Sequence, residues 1–168
     1  MNTIAEKITN IVLMRHGNAL SKHESGVSYD SERILSGIGH KNALTSAQKL
    51  KSLNFSPDLI ISSPFSRAVQ TSEIISTVFN KPEIRLLPEL ATPKSIEGLL
   101  EILLKKEQPG NSLIAICHMP TVNLLAELMI PKTTFHFSPA GFAYIQINTK
   151  NFLKNSVNSA KLVEIFNI

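Results

Sequence analysis

The chain has 168 residues, 43% of them hydrophobic, and a net charge of +4. This length and composition predict one globular domain over residues 1–168 with a full core. The basic residues are scattered apart from pairs such as Lys105-Lys106, so no stripe suited to nucleic acid is present. The single cysteine, Cys117, excludes an intramolecular disulfide and a zinc site built from cysteines. No 18-residue apolar stretch or signal-peptide core occurs, so we expect a cytoplasmic protein that does not cross a membrane.

Short apolar runs alternate with helical stripes along the chain. The runs predict strands at Ile8–Met14, Asp58–Ile61, Ile84–Leu87, Ser112–Cys117, Phe142–Ile147 and Lys161–Phe166. The stripes predict helices at Gly39–Leu53, Phe65–Phe79, Ser95–Lys105 and Thr121–Met129. This alternation predicts an α/β fold: a mostly parallel central sheet covered on both faces, that is, a three-layer sandwich. Residues 18–38 form one long irregular loop, of a length that usually carries function or motion.

The tetrapeptide Met14-Arg15-His16-Gly17 stands where the first strand ends. Ligands of open α/β sheets bind beyond the carboxyl ends of the strands. Arg15 offers a permanently charged planar fork that fits phosphate oxygens, and His16 offers a side chain that can be a neutral nucleophile at pH 7. The pair therefore indicates phosphoryl transfer through a histidine.

Further candidate groups follow the second and fourth strands. Ser62-Ser63-Pro64-Phe65-Ser66-Arg67 opens a helix, and we expect Pro64 in its first turn, where free backbone amides favour an anion. Arg67 would lie in that same turn. His118 follows the fourth strand, and Arg33 lies in the long loop, where Asp30 is expected to face solvent.

These groups fit a two-step displacement. Neutral His16 would attack phosphorus and form a phosphohistidine. Arg15, Arg67 and Arg33 would hold the equatorial oxygens by charge-assisted hydrogen bonds, and His118 would donate to the phosphoryl group or move a proton. Water would then release phosphate. The scheme requires no metal and no cofactor, and the sequence contains no His/Cys spacing or carboxylate cluster that would hold a metal.

The combined motifs resemble the histidine phosphatase superfamily, and within it the small SixA-type phosphohistidine phosphatases. The resemblance rests on Arg15-His16-Gly17 after an apolar strand, on the segment from Ser63 to Thr71, and on His118-Met119-Pro120 after a buried strand. It runs in order from the first strand to the fourth helix, which is most of the chain. It implies a phosphoglycerate mutase-like fold.

The resemblance also implies roles for individual residues. His16 would be the nucleophile, Arg15 and Arg67 would bind the phosphoryl group, and His118 would complete the pocket. Arg33, together with Gly17 and Asn18 beside the nucleophile, is assigned to substrate binding. Asn18 departs from the pattern because many relatives carry an acid there, and the proton donor is left open.

A chain this short has no large insertion to roof the pocket, and an open pocket suits a phosphorylated protein better than a small sugar. The leading hypothesis is therefore a phosphatase for phosphohistidine on a signalling or phosphorelay protein, working as a monomer. One alternative is a phosphatase for small phosphate monoesters, which would need an acid near the leaving oxygen. The other is a non-catalytic module that binds phosphoproteins.

Overall fold

A computed structural model describes residues 8–104, 110–148 and 159–168. Its six strands are β1 Ile8–Arg15, β2 Leu59–Ser62, β3 Glu83–Leu86, β4 Ser112–Cys117, β5 Phe142–Asn148 and β6 Ala160–Phe166. Its α-helices are α1 Lys22–Ser25, α2 Gly37–Ser52, α3 Ser66–Val78, α4 Ile96–Leu103 and α5 Thr121–Met129. Single turns of 3-10 helix occur at Asp30–Glu32 and Pro88–Leu90. None of the described helices is long and apolar enough to span a bilayer.

The strands form one sheet in the order β3-β2-β4-β1-β5-β6. The first four of these are parallel, whereas β5 pairs antiparallel with both β1 and β6. The expected mostly parallel sheet is thus a mixed sheet with a four-stranded parallel part. The carboxyl ends of β1, β2 and β4 meet at one edge, with the end of β4 in the middle.

Both faces of the sheet are covered, because alternate residues of a strand point to opposite faces. In β1, Ile11 and Leu13 pack into a core that includes residues of α4 and α5. Val12 and Met14 point the other way, into a core that includes residues of α2 and α3. All four side chains are fully buried. The three-layer α/β architecture predicted from the sequence is confirmed.

Most predicted elements are present with ends displaced by one or two residues. Pro64 does not stand in the first turn of α3, because that helix begins at Ser66 after the cap residue Phe65. Ser95 caps α4 instead of opening it, with its hydroxyl accepting from a backbone N–H. The predicted end of this helix, Lys105, lies outside the described residues.

The loop predicted over residues 18–38 contains more structure than expected. It includes α1, which Ser21 begins through a capping box with Glu24, and the 3-10 turn at Asp30–Glu32. Helix α2 starts two residues earlier than predicted, at Gly37, since Ser36 caps it by accepting from the N–H of Gly39.

Two glycines hold this loop against the end of β1. A Cβ atom at Gly39 would overlap the carbonyl oxygen of Asn18, and one at Gly17 would lie 2.8 Å from the carbonyl oxygen of Gly39. The first turn of α2 therefore packs backbone to backbone on the chain after His16, a contact that no larger residue permits without a shift.

Candidate active site

The sheet brings three chain segments together at the carboxyl ends of β1, β2 and β4. The N–H of His16 donates to the carbonyl of Cys117 at 3.1 Å, and the N–H of Ser63 donates to the carbonyl of Ile116 at 3.1 Å. His118 therefore lies between His16 on one side and Ser63 on the other. The rings of His16 and His118 are 4.8 Å apart between centroids.

The hydrogen bonds of His16 define its tautomer. Its Nδ1 lies 2.7 Å from the carbonyl oxygen of Gly17, which can only accept, so Nδ1 carries the proton. Its Nε2 accepts from Nε–H of Arg67 at 3.2 Å. The neutral ring therefore presents an unprotonated Nε2, which is the form that a nucleophile requires.

The surroundings of His16 keep this ring neutral. Its pKa is lowered to about 3, mainly by burial and to a smaller extent by the neighbouring His118 and the positive charges of Arg67 and Arg15. The Gly17 carbonyl acts in the opposite direction, because it stabilises the protonated ring. Nε2 therefore stays unprotonated throughout the physiological pH range.

Arg67, from the first turn of α3, links His16 to the long loop. Its Nη1 donates to the carbonyl of Asp30 at 2.6 Å, and its Nη2 donates to Oδ2 of the same residue at 2.9 Å. The Arg67 side chain is 8% exposed, whereas that of Asp30 is 56% exposed. The guanidinium is thus buried among groups that hold its orientation, with its Nε directed at the imidazole.

Asp30 also binds the loop arginine. Its Oδ1 accepts from Nη1 of Arg33 at 2.9 Å, while Nε of Arg33 donates to the carbonyl of Leu20 at 2.6 Å. Hydrogen bonds from Arg33 and then from Arg67 hold the pKa of the Asp30 carboxyl below its usual value. One carboxylate therefore bridges two candidate phosphate-binding guanidinium groups. Asp30 is exposed to solvent, as expected, but its pairing with both arginines was not predicted.

Arg15, the last residue of β1, retains donor capacity. Its Nη1 donates to the carbonyl of Phe137 at 2.9 Å, while its Nε is buried without a hydrogen-bond partner. Burial lowers the pKa of this guanidinium, which nevertheless stays charged. A buried donor without an acceptor is costly in the absence of a ligand, so this group is suited to an anion.

His118 contributes a second buried group of this kind. Its Nε2 lies 2.7 Å from Oγ of Ser63, while its Nδ1 is buried without a partner. The side chain packs against Phe65, with the ring centroids 4.9 Å apart. Burial and the charge of Arg67 lower its pKa to about 4, against a smaller opposing effect of Asp30.

The structure brings His16, Arg15, Arg67 and His118 together, as the sequence motifs predict. Arg33 is joined to this group through Asp30, and no described contact links it directly to His16. The burial of these groups, the fixed tautomer of His16 and the unpaired Nε–H of Arg15 make the cluster suited to a tetrahedral anion beside a nucleophile. Among the described residues, no group of three or more His, Cys, Asp or Glu side chains is placed to hold a metal ion.

Gly17 and Asn18 form hydrogen bonds to other groups of the protein. The N–H of Gly17 donates to Oγ1 of Thr71 at 3.1 Å, and its carbonyl holds His16. The side-chain oxygen of Asn18 accepts from Nδ2 of Asn42 at 3.2 Å. Both residues thus support the loop and the imidazole in the described structure, and their assignment to substrate binding stays a prediction.

Two residues of the site were not among those predicted from the sequence, Asp30 and Ser63. Asp30 lies 37 positions from Arg67, and no local pattern connects an exposed loop acid to a helix arginine. Ser63 was recognised as part of the motif but not as a partner of His118. The contact between Ser63 and His118 follows from the pairing of β2 with β4, which places the ends of these two strands side by side.

Comparison with known proteins identifies the family of this chain. Residues 11–99 match the family model described as "Histidine phosphatase superfamily (branch 1)". The phosphohistidine phosphatase SixA of Escherichia coli is 32% identical over 142 residues, covering 82% of this chain and 85% of that protein.

Solved structures are also similar to this chain. The structure of the protein histidine phosphatase SixA complexed with tungstate has a TM-score of 0.79 and 25% identity, and covers 94% of this chain and 96% of that one. A phosphoglycerate mutase from Plasmodium falciparum has a TM-score of 0.65 at 21% identity, covering 94% and 90% of the two chains, a likeness of fold.

The fold and these relatives define an α/β phosphatase, and its candidate site holds a buried histidine beside arginines. The family match covers more than half of the chain, and a relative above 30% identity spans four fifths of it. The chain belongs to the histidine phosphatase superfamily, and the phosphoglycerate mutase-like fold implied by its motifs is confirmed.

Proposed function

We propose that the protein removes the phosphoryl group from phosphohistidine on a signalling or phosphorelay protein, through a phosphohistidine intermediate on His16. The observation that carries the proposal is the tautomer of His16. Its Nδ1–H is held by Gly17, and its unprotonated Nε2 lies 3.2 Å from Nε of Arg67. A nucleophile and a cation that can bind the reacting group are thus adjacent and pre-oriented.

In the first step, Nε2 of His16 attacks phosphorus in line with the leaving group. The P–N bond of the substrate breaks as the P–Nε2 bond forms, and the departing ring nitrogen keeps the electron pair and takes up a proton from solvent. Arg67 and Arg15 stabilise the charge spread over the equatorial oxygens. The Gly17 carbonyl stabilises the positive charge that develops on the phosphorylated ring through Nδ1–H.

In the second step, water attacks the phosphorus of the intermediate. The P–Nε2 bond breaks, the electron pair returns to His16, and the proton of the water is released with phosphate. His118 supplies a donor to the phosphoryl oxygens in both steps. A phosphoramidate needs less assistance from an acid than an alkyl ester does, and the described site contains no carboxylic acid in contact with His16.

The proposed substrate is supported by the substrates of similar proteins. The relative with 32% identity over most of the chain is a phosphohistidine phosphatase, and a similar solved structure is a protein histidine phosphatase. The cytoplasmic location, the monomeric state and the role of Arg33 in substrate binding stay predictions.

The test compares wild type with His16→Ala on two kinds of substrate without added metal. One is a domain that carries phosphohistidine, and the other is a panel of phosphate monoesters. We expect selective loss of phosphohistidine that depends on His16, and His40→Ala, which changes an exposed histidine, serves as the matched control. Preference for monoesters would instead establish a small-molecule phosphatase. Binding of phosphoprotein without turnover by wild type would establish a non-catalytic module.

A further inference from the structure

Ser63 and His118 form a buried pair at the adjacent ends of β2 and β4. The hydroxyl oxygen of Ser63 lies 2.7 Å from Nε2 of His118. Ser63 is 0% exposed and His118 is 7% exposed, so water does not satisfy the polar atoms that this pair leaves unpaired. The direction of the hydrogen bond between them therefore determines which polar atoms remain without a partner.

The hydroxyl of Ser63 has one proton to donate and can also accept. It accepts from the N–H of Phe65 at 3.3 Å. Within the part of the chain that the structure describes, no acceptor other than His118 contacts this hydroxyl. If His118 donated from Nε2, the serine proton and the lone pair of Nδ1 would both be left unpaired in the interior.

The opposite direction leaves only one polar group unpaired. When Ser63 donates to Nε2, the neutral imidazole carries its proton on Nδ1, and this N–H is the single buried group without a partner. Because unpaired buried polar groups are costly, the arrangement with fewer of them is favoured. The remaining N–H then belongs to a ring that packs against His16.

We infer that Ser63 is a positioning residue that fixes His118 in the Nδ1–H tautomer, so that this ring offers a hydrogen-bond donor to a phosphoryl group at His16. The opposite tautomer would present a lone pair to the phosphoryl oxygens and repel them. This inference rests on the proposed function for the identity of the ligand. The tautomer itself is a property of the free protein.

The first measurement is therefore made without substrate. Nitrogen NMR of the histidine-labelled protein at pH 7 distinguishes a protonated ring nitrogen from an unprotonated one, and His118→Gln assigns the resonances. We expect wild-type His118 to show a protonated Nδ1 and an unprotonated Nε2. A protonated Nε2 in wild type would overturn the inference, whatever the enzyme dephosphorylates.

The second measurement uses Ser63→Ala and a matched control, Ser62→Ala. Both serines are 0% exposed, but the Ser62 hydroxyl donates to the carbonyl of Ser63 and does not contact His118. In Ser63→Ala we expect the Nδ1–H population of His118 to fall and kcat on the phosphohistidine domain to drop about tenfold, the equivalent of one lost hydrogen bond. Ser62→Ala should keep the wild-type tautomer and kcat.

The two measurements separate the failure of this inference from failure of the proposed function. An Nδ1–H tautomer that is lost only in Ser63→Ala supports the positioning role even if phosphohistidine proves not to be the substrate. A wild-type tautomer that persists in Ser63→Ala would show that another group fixes the ring, and would overturn the inference even in an active enzyme.

Discussion

The two buried histidines should make the stability of the fold depend strongly on pH in mildly acidic solution. The native pKa values of His16 and His118 are lowered from 6.5 to about 3 and about 4, in both cases mainly by burial. The unfolded chain therefore binds protons at these side chains before the native chain does. Stability is fully present above pH 6.5, and it falls as the pH decreases towards the native pKa values.

The size of this effect follows from the two shifts. Between pH 6.5 and 5 the unfolded state holds from half a proton to almost one proton at each histidine, while the native state holds almost none. Each pH unit in this interval costs about 1.4 kcal/mol per histidine, so each contributes about 2 kcal/mol and the pair about 4 kcal/mol. This is a large part of the roughly 5–15 kcal/mol that stabilises an ordinary domain.

Urea unfolding at pH 7.5 and pH 5.0 measures the free energy of unfolding directly. We expect wild type to lose about 4 kcal/mol between the two conditions, and His16→Gln to lose about half as much because one shifted group is absent. His40→Gln, at an exposed position, should behave as wild type does. Carboxylates in the same pH range affect all three proteins alike, so they cancel in the comparison. Equal losses in wild type and His16→Gln would refute the inference that burial holds this imidazole neutral.

Three further predictions concern the arginine cluster and the glycine contact. Arg67→Ala should lower kcat/KM by about a hundredfold or more, because it removes a cation aimed at the reacting group. Lys51→Ala, at the far end of α2, should leave kcat/KM unchanged. Equal kcat/KM values for the two variants would mean that the phosphate pocket lies elsewhere. Asp30→Asn should tighten inhibition by inorganic phosphate severalfold at low salt, since a nearby surface charge is worth about 1 kcal/mol. This tightening should vanish in 1 M salt. Weaker inhibition would show that the orientation of the arginines by Asp30 matters more than its negative charge. Gly39→Ala should destabilise the fold by about 1–3 kcal/mol in urea unfolding because its Cβ would overlap a loop carbonyl. Gly37→Ala in the same helical turn meets open space and should be neutral or slightly stabilising.

The order of strands and helices could be read from the sequence because the two hydrophobic periods are local. The limits of Ser112–Cys117 and Thr121–Met129 were predicted to the residue, since a turn or a proline stands at their ends. The grouping of His16, Arg67 and His118 could also be predicted from the sequence, because each follows a predicted strand and parallel strands end at one edge.

The pairing of strands could not be predicted from the sequence in the same way. Nothing in the residues of β5 distinguishes an antiparallel neighbour of β1 from a parallel one, since alternation of buried positions is the same in both. The structure of the long loop was missed for a related reason. Its helices are one turn each, too short for a hydrophobic period, and only the capping pair Ser21 and Glu24 marks the first of them.

The sequence by itself determined the chemistry that this protein carries: an arginine and a histidine after one strand, an arginine in the following helix, and a second histidine after another strand. Only the tertiary structure decided the state of those groups. The proton positions on His16, the carboxylate that bridges Arg33 and Arg67, and the serine beside His118 all depend on contacts between segments distant in the chain. Burial that lowers a pKa and hydrogen bonds that select a tautomer arise only when the strand ends meet, so residue types alone could not specify them.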